Sequence, residues 1–289
     1  MRYYRIEDDG GDRLAVTTGG DVYDLTAVKP RLETFDDLLR ASSITDRSAD
    51  SIATLLVDDA PTIDDGVLES SIGSPVHAEE VWAAGVTYAI SEQAREAESS
   101  MPDMYLDVYD SERPEVFFKA TPNRTVGPND TVGIRADSEW DVPEPELGAV
   151  LYDGEIVGYT IGNDMSSRSI EGENPLYLPQ AKVYDRCCSL GPCVTSADSI
   201  SDPHALEMWM TIERDGEVMY DESTNTGEMD RTVQELVDYY TRHNAVPETS
   251  VLLTGTSLVP SESFTLQEGD VVDIGIDEIG TLTNTVVQV

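Results

Sequence analysis

Residues 140–164 read "WDVPEPELGAVLYDGEIVGYTIGND". Two apolar runs, Leu147 to Leu151 and Val157 to Ile161, flank the turn formers Asp153 and Gly154. The period of two along a strand puts Glu144 and Glu146 on one face. Pro143 and Pro145 each remove an N–H, so this end is not a regular central strand and reads as a strand mouth opening into a cleft. Two carboxylates on one face repel unless a cation lies between them. A hard divalent ion such as Mg2+ suits all-oxygen ligands, and Asp164, ending the second run, is the third candidate. Spacing alone carries no weight, because 57 acidic residues in 289 give about 11 acidic-x-acidic pairs by chance. Placement beside buried strands is what singles these residues out.

Working outward, residues 76–289 carry many more short apolar runs, among them "EVFFKA", "HALEMWMTIER", "SVLLTG", "DVVDIGI" and "GTLTNTVVQV". Helices are few. "TVQELVDYYTRH" is the clear one, with Thr232 and Glu235 at capping-box spacing ahead of an apolar stripe. A second is expected over 91–99. The expectation is an α+β fold whose mixed sheet closes as a roll or sandwich. Residues 1–75 read as a small N-terminal α/β module: strands with Gly-Gly and Asp-Gly turns, then helical spacing in "LETFDDLLRA" and "ADSIATLLVDD".

The net charge of −39 makes nucleic acid an improbable partner, since phosphates would be repelled. The acidity is spread over a chain that keeps its apolar periodicity, so disorder explains it poorly. A halophile's surface explains it better: hydrated carboxylates whose mutual repulsion salt screens. No run of about 18 apolar residues exists, and the N-terminus lacks the apolar core of a signal peptide. A soluble, cytoplasmic protein with no membrane partner is the expectation.

Several machineries are excluded by absence: there is no Walker A loop, no G-x-G-x-x-G and no G-x-S-x-G. His77, His204 and His243 are scattered and read as structural or solvated, which disfavours a Ser-His-Asp triad. Cys187, Cys188 and Cys193 fit neither a disulfide framework nor a zinc site and read as core side chains. Lysine is scarce, yet Lys119 and Lys182 lie in apolar or small-residue contexts, "EVFFKATP" and "YLPQAKVY", which suits site lysines.

"EPELGAVL", "GYTIGNDMSSRS", "QAKVYDRCCSLGPCV", "LLTGTS" and "GDVVDIGIDEIGTLTNTV", in that order, resemble the fumarylacetoacetate hydrolase superfamily from about residue 82 to the C-terminus. The resemblance implies a mixed β-roll core and Mg2+ (or Mn2+) on Glu144, Glu146 and Asp164. It also implies active-site roles for Lys119 and Lys182, a glycine–threonine substrate loop at Gly255 and Thr256, and a homo-oligomer, dimer or tetramer. Two departures stand out. Members that cleave C–C bonds carry a lid, G-x-N-Y-x-x-H-x-x-E, whose His and Glu activate water; here the segment is "GVTYAISEQA", with Thr87, Ser91 and Ala94 at the Asn, His and Glu positions. Ser169 and Glu171 replace an Asp and a Gln that are common in the family.

Without that base hydrolysis is disfavoured. The departures and "EGENPLYLPQAKVYDRCCSLGP" are similar to the subgroup that dehydrates 2-dehydro-3-deoxy-pentonates, sugar acids from xylose or arabinose, to 2,5-dioxopentanoate. That resemblance implies a hydro-lyase in which Lys182 and Glu115 handle protons and Lys119, Ser91, Thr256 and Glu171 contact substrate. An acylpyruvate hydrolase, an oxaloacetate decarboxylase or tautomerase, and a non-catalytic module binding metal or sugar acid are the alternatives. The charge reading yields a direct expectation: moved from molar salt to dilute buffer, the protein loses near-UV circular dichroism and its thermal transition falls. Full stability in dilute buffer would contradict the halophile reading.

Overall fold

In the computed structural model, residues 1–8, 10–64, 66–88 and 111–289 are described. The quoted stretch forms two antiparallel strands, Pro145–Tyr152 and Glu155–Asp164, turned at Asp153 and Gly154, both at positive φ. Leu147, Ala149, Val150 and Leu151 are all fully buried, so the strand is covered on both faces. Gly148 lies against Thr160, Val251 and Leu253, and no larger residue fits there without displacing them. Truncating Leu147 would cost about 2–5 kcal/mol.

These two strands sit inside a long mixed sheet. On one side come Thr249–Leu253, then Glu80–Gly85 in parallel, then Glu115–Ala120 at the edge. On the other come Cys188–Ser196, Arg2–Asp8, Gly11–Thr18, Asp21–Asp24 and Thr62–Ile63. The segment expected as an N-terminal module is therefore hydrogen-bonded into the same sheet, Tyr3 opposite Val194. A five-stranded sheet, in order Glu217–Asn225, Glu207–Arg214, Val271–Ile276, Gly280–Gln288 and Thr131–Ile134, covers one face. It docks through Ser189 Oγ to Asn284 Oδ1 at 2.7 Å and Thr195 Oγ1 to the Glu278 carbonyl at 2.9 Å. The fold is α+β, as expected from the strand-rich pattern.

The helices behave as their termini dictate. Thr34 and Asp37 make a full capping box on Phe35–Thr45. On Val233–Thr241 only half of the expected box is seen: Thr232 caps Glu235 N–H, while the Glu235 carboxylate turns to Arg231 at 2.7 Å. His204 Nε2 accepts the Val233 N–H, a structural role, and His77 and His243 are exposed. All three cysteines are free and buried. The helix expected over 91–99 lies outside the described residues, and no described helix is long and apolar enough to cross a membrane.

Asp141 lies in a two-stranded ribbon, Asp141–Val142 with Ser166–Ser167, and is 3% exposed. Burial pushes its carboxyl up to about 6, beyond what the Ser138 hydroxyl and backbone of Arg135 hold down. Because the folded value exceeds the unfolded one, ionisation opposes folding. The penalty is absent below about pH 4, grows to about pH 6 and is complete above. Asp141→Asn is therefore expected to raise stability at pH 7.5 by on the order of 2 kcal/mol and to change nothing at pH 4, in paired thermal melts.

Candidate metal centre and active site

Strand geometry explains how three carboxylates meet. Pro145 pairs with Asn163 and Glu146 with Gly162, so Asp164 stands across from Glu144 and donates its N–H to the Glu144 carbonyl at 2.9 Å. Residues opposite one another share a face, and Glu146 is two residues along. Ligand oxygens of Glu144, Glu146 and Asp164 all lie within 4.8 Å of one another, and each residue is at most 4% exposed. The opposing Gly162 leaves room for Leu253, which a Cβ there would strike at 2.3 Å.

Charge is balanced unevenly. Lys182 Nζ, at the end of the short helix Leu178–Lys182, donates to Glu144 Oε2 at 2.7 Å, Asp164 Oδ2 at 3.0 Å and Ser166 Oγ at 2.6 Å. Arg168 Nη2 meets Glu144 Oε1 at 2.9 Å. Lys119 Nζ meets Asp164 Oδ1 at 2.6 Å. Glu146 has no cation within ion-pair distance among the described residues; it accepts the Gly255 N–H at 2.6 Å. Its carboxyl is held well above the usual range, by burial first and then by Asp164 and Glu144. The donor set is all oxygen, buried and short of positive charge on one member. That is the fit a divalent cation requires.

The carboxylates and Lys182 line a small cavity with Arg168, Gly255, Thr256, Ala84, Gly85, Val86, Phe117 and Val259. Gly255 is at φ +87°, and a Cβ there would fall 2.1 Å from Thr87 Oγ1. Thr256 lines the cavity, its hydroxyl oxygen accepting the Leu258 N–H at 3.0 Å. Glu115 opens the edge strand opposite Gly85, and its carboxylate occupies the place a Gly85 Cβ would take, 1.9 Å away.

Other expected residues sit differently. Lys119 falls where the edge-strand register slips between Val81 and Trp82, a β-bulge that re-aims side chains. It is fully buried and outside the cavity lining. Besides Asp164 it donates to the carbonyls of Met165, at 2.8 Å, and Lys182. With its three protons directed at protein acceptors, it braces Asp164. Burial lowers its pKa most, but Asp164 together with Cys187 and Cys188 outweighs that and leaves it raised. Glu171 is buried in the helix Arg168–Glu173, the helix that begins with the cavity-lining Arg168. Ser91 lies outside the described residues.

Arg168 and Ser166 escaped the sequence reading. Arg168 had one legible signal: a rare cation four residues after Asp164. Ser167 caps the helix that carries it, accepting the Ile170 N–H at 3.3 Å.

Residues 80–287 match the family model for the fumarylacetoacetate (FAA) hydrolase C-terminal region. Over 289 residues, all of both chains, the protein is 64% identical to a probable 2-keto-3-deoxyxylonate dehydratase of Haloferax volcanii. It is 43% identical over 220 residues, 74% of each chain, to the 2-dehydro-3-deoxy-D-arabinonate dehydratase of Saccharolobus solfataricus. It superposes with TM-score 0.85 and 34% identity on a 2-keto-3-deoxy-D-arabinonate dehydratase solved with magnesium and 2,5-dioxopentanoate, covering 100% of this chain and 99% of that one. With the triad, the fold and these matches in agreement, the chain belongs to the fumarylacetoacetate hydrolase family.

Proposed function

We propose that this protein is a Mg2+-dependent hydro-lyase that converts a 2-dehydro-3-deoxy-pentonate, such as those derived from xylose or arabinose, to 2,5-dioxopentanoate. The observation that carries the reading is the end-to-end match to a relative solved with magnesium and that compound. Glu144, Glu146 and Asp164 would hold the ion. When bound, it supplies Lewis-acid polarisation of the substrate's 2-oxo group, which acidifies C3.

The chain's own residues then move protons. Lys182 borders the cavity and Glu115 stands beside Gly85, so these two are assigned the traffic. One takes a proton from C3 while the other protonates the departing C4 hydroxyl, which leaves as water. The resulting enone is rearranged by removing a proton from C5 and returning one to C3. The enol so formed loses its hydroxyl proton and gains one at C4, leaving the C5 aldehyde. No external water attacks at any step. Arg168 and Lys119 hold Glu144 and Asp164 in place, and the Thr256 hydroxyl, which lines the cavity, is assigned to a substrate oxygen.

A cytoplasmic setting in high salt belongs to the same reading and is supported by the net charge of −39. So does assembly into a dimer or tetramer, supported by Val218 and Met219, exposed at 58% and 44% on the edge strand Glu217–Asn225.

The direct test is incubation of 2-dehydro-3-deoxy-D-pentonate with protein and Mg2+ in high salt. An aldehyde product is expected, and its absence would refute the assignment. Glu146→Gln is expected to fold as stably as the parent without Mg2+, because one repelling charge is gone. It should lose both turnover and the Mg2+-induced rise in melting temperature. Lys182→Met should lose turnover yet still be stabilised by Mg2+. Gly85→Ala tests Glu115 without deleting it: the new methyl displaces the carboxylate, so kcat should fall at least tenfold while Mg2+ binding is unchanged. An unaltered kcat would remove Glu115 from the mechanism.

A further inference from the structure

Val86 has φ +54°, in the left-handed region. A β-branched residue avoids that region at a cost of about 1–2 kcal/mol, whereas glycine enters it freely. The surroundings leave the backbone no alternative. Thr87 Oγ1 donates to the Thr254 carbonyl at 2.6 Å, and the Thr87 carbonyl accepts the Asp230 N–H at 3.0 Å. Tyr88 bridges to Met229. On the other side, Gly255 presses so close that a Cβ would overlap Thr87 Oγ1. Glycine would satisfy all of these restraints without strain, so the valine side chain itself is what the position retains.

That side chain is 5% exposed and lines the cavity. The lining is two-sided. Glu144, Glu146, Asp164, Arg168 and Lys182 supply the charge, and Ala84, Val86, Phe117 and Val259 supply an apolar wall. The cavity is tight, with a volume of about 10 Å³, so each methyl of its wall bears on what chain it can accept. A 2-oxo acid with its carboxylate and oxo group at the charged side directs its carbon chain toward the apolar wall. An added hydroxylated carbon would press a hydroxyl into that wall with no partner, which is strongly disfavoured.

We propose that Val86 is the chain-length determinant of this site: its strained backbone holds an isopropyl group where a sixth substrate carbon would go. The proposal rests on the 2-oxo-acid reading of the site, and its test separates the two.

Binding of unbranched 2-oxo acids of four to seven carbons is measured by calorimetry with Mg2+ in high salt, for the parent, Val86→Gly and Val86→Ala. The parent's affinity is expected to drop at least tenfold between five and six carbons. Val86→Gly should shift that break by one carbon or more. Val86→Gly should also melt at or above Val86→Ala, the reverse of the usual order, because residue 86 is left-handed. Turnover of the five- and six-carbon 2-dehydro-3-deoxy acids is followed alongside, with the six-to-five ratio of kcat/KM expected to rise at least tenfold in Val86→Gly. A parent series without a break, or a break that Val86→Gly leaves in place, overturns the proposal. No parental turnover of the five-carbon acid, with the binding break present and moved by Val86→Gly, overturns the dehydratase reading and upholds Val86 as the wall of a 2-oxo-acid site.

Discussion

Lys182 Nζ stands between Glu144 and Asp164, and the rest of the site is arranged around that ammonium. A buried charge is tolerated only when its partners are fixed, and removing one partner of such a pair costs about 3–5 kcal/mol. Here the partners are fixed by strand pairing. Asp164 is set opposite Glu144 by the antiparallel register, Lys119 holds the other Asp164 oxygen, and Arg168 holds the other Glu144 oxygen. Three cations thus serve two of the three carboxylates, and among the described residues none falls on Glu146. The imbalance is a functional reserve. It raises the pKa of the Glu146 carboxyl in the protein alone, by burial and by its two carboxylate neighbours, and gives a divalent ion charge to neutralise.

The same reasoning explains the use of lysine. The chain has three, of which Lys29 is exposed while Lys119 and Lys182 are buried to 1% exposure or less. Elsewhere arginine does the pairing, as in the two-toothed Arg214–Asp270 contact with both distances at 2.7 Å. A compact ammonium fits between carboxylates on one strand face, where a planar guanidinium is too broad. The surface and the site therefore answer to different constraints. Salt screens the former, and low dielectric strengthens the latter.

Much of the fold was legible because periodicity reports burial directly. The runs Leu147–Leu151 and Val157–Ile161, the strands near 207–214, 249–253, 271–276 and 280–288, and the helix after Thr232 all appear where their apolar spacing put them. What escaped has a physical reason. The helices Arg168–Glu173 and Leu178–Lys182 span six and five residues, too short to form on their own, and exist only because the sheet receives them. Strand Glu217–Asn225 is a largely exposed edge, so it carries charge where a central strand would carry alternation. The bulge at Lys119 left no trace in composition, so the Lys119 contact with Asp164 was not legible.

By itself the sequence determined the carboxylate triad's membership, the two strands beside it and the family, because each depends on residue type and spacing within short segments. Only the tertiary structure decided how the charges are shared. That Lys119 braces Asp164, that Arg168 answers Glu144, and that Glu146 takes the Gly255 N–H and, among the described residues, no cation depend on contacts between residues as far apart as 109 positions in the chain. The left-handed turn at Val86 belongs with them, since valine gives no local sign of it. It is imposed by Thr254, Gly255 and Asp230, and a backbone held against its own preference is a property of packing, which local sequence does not encode.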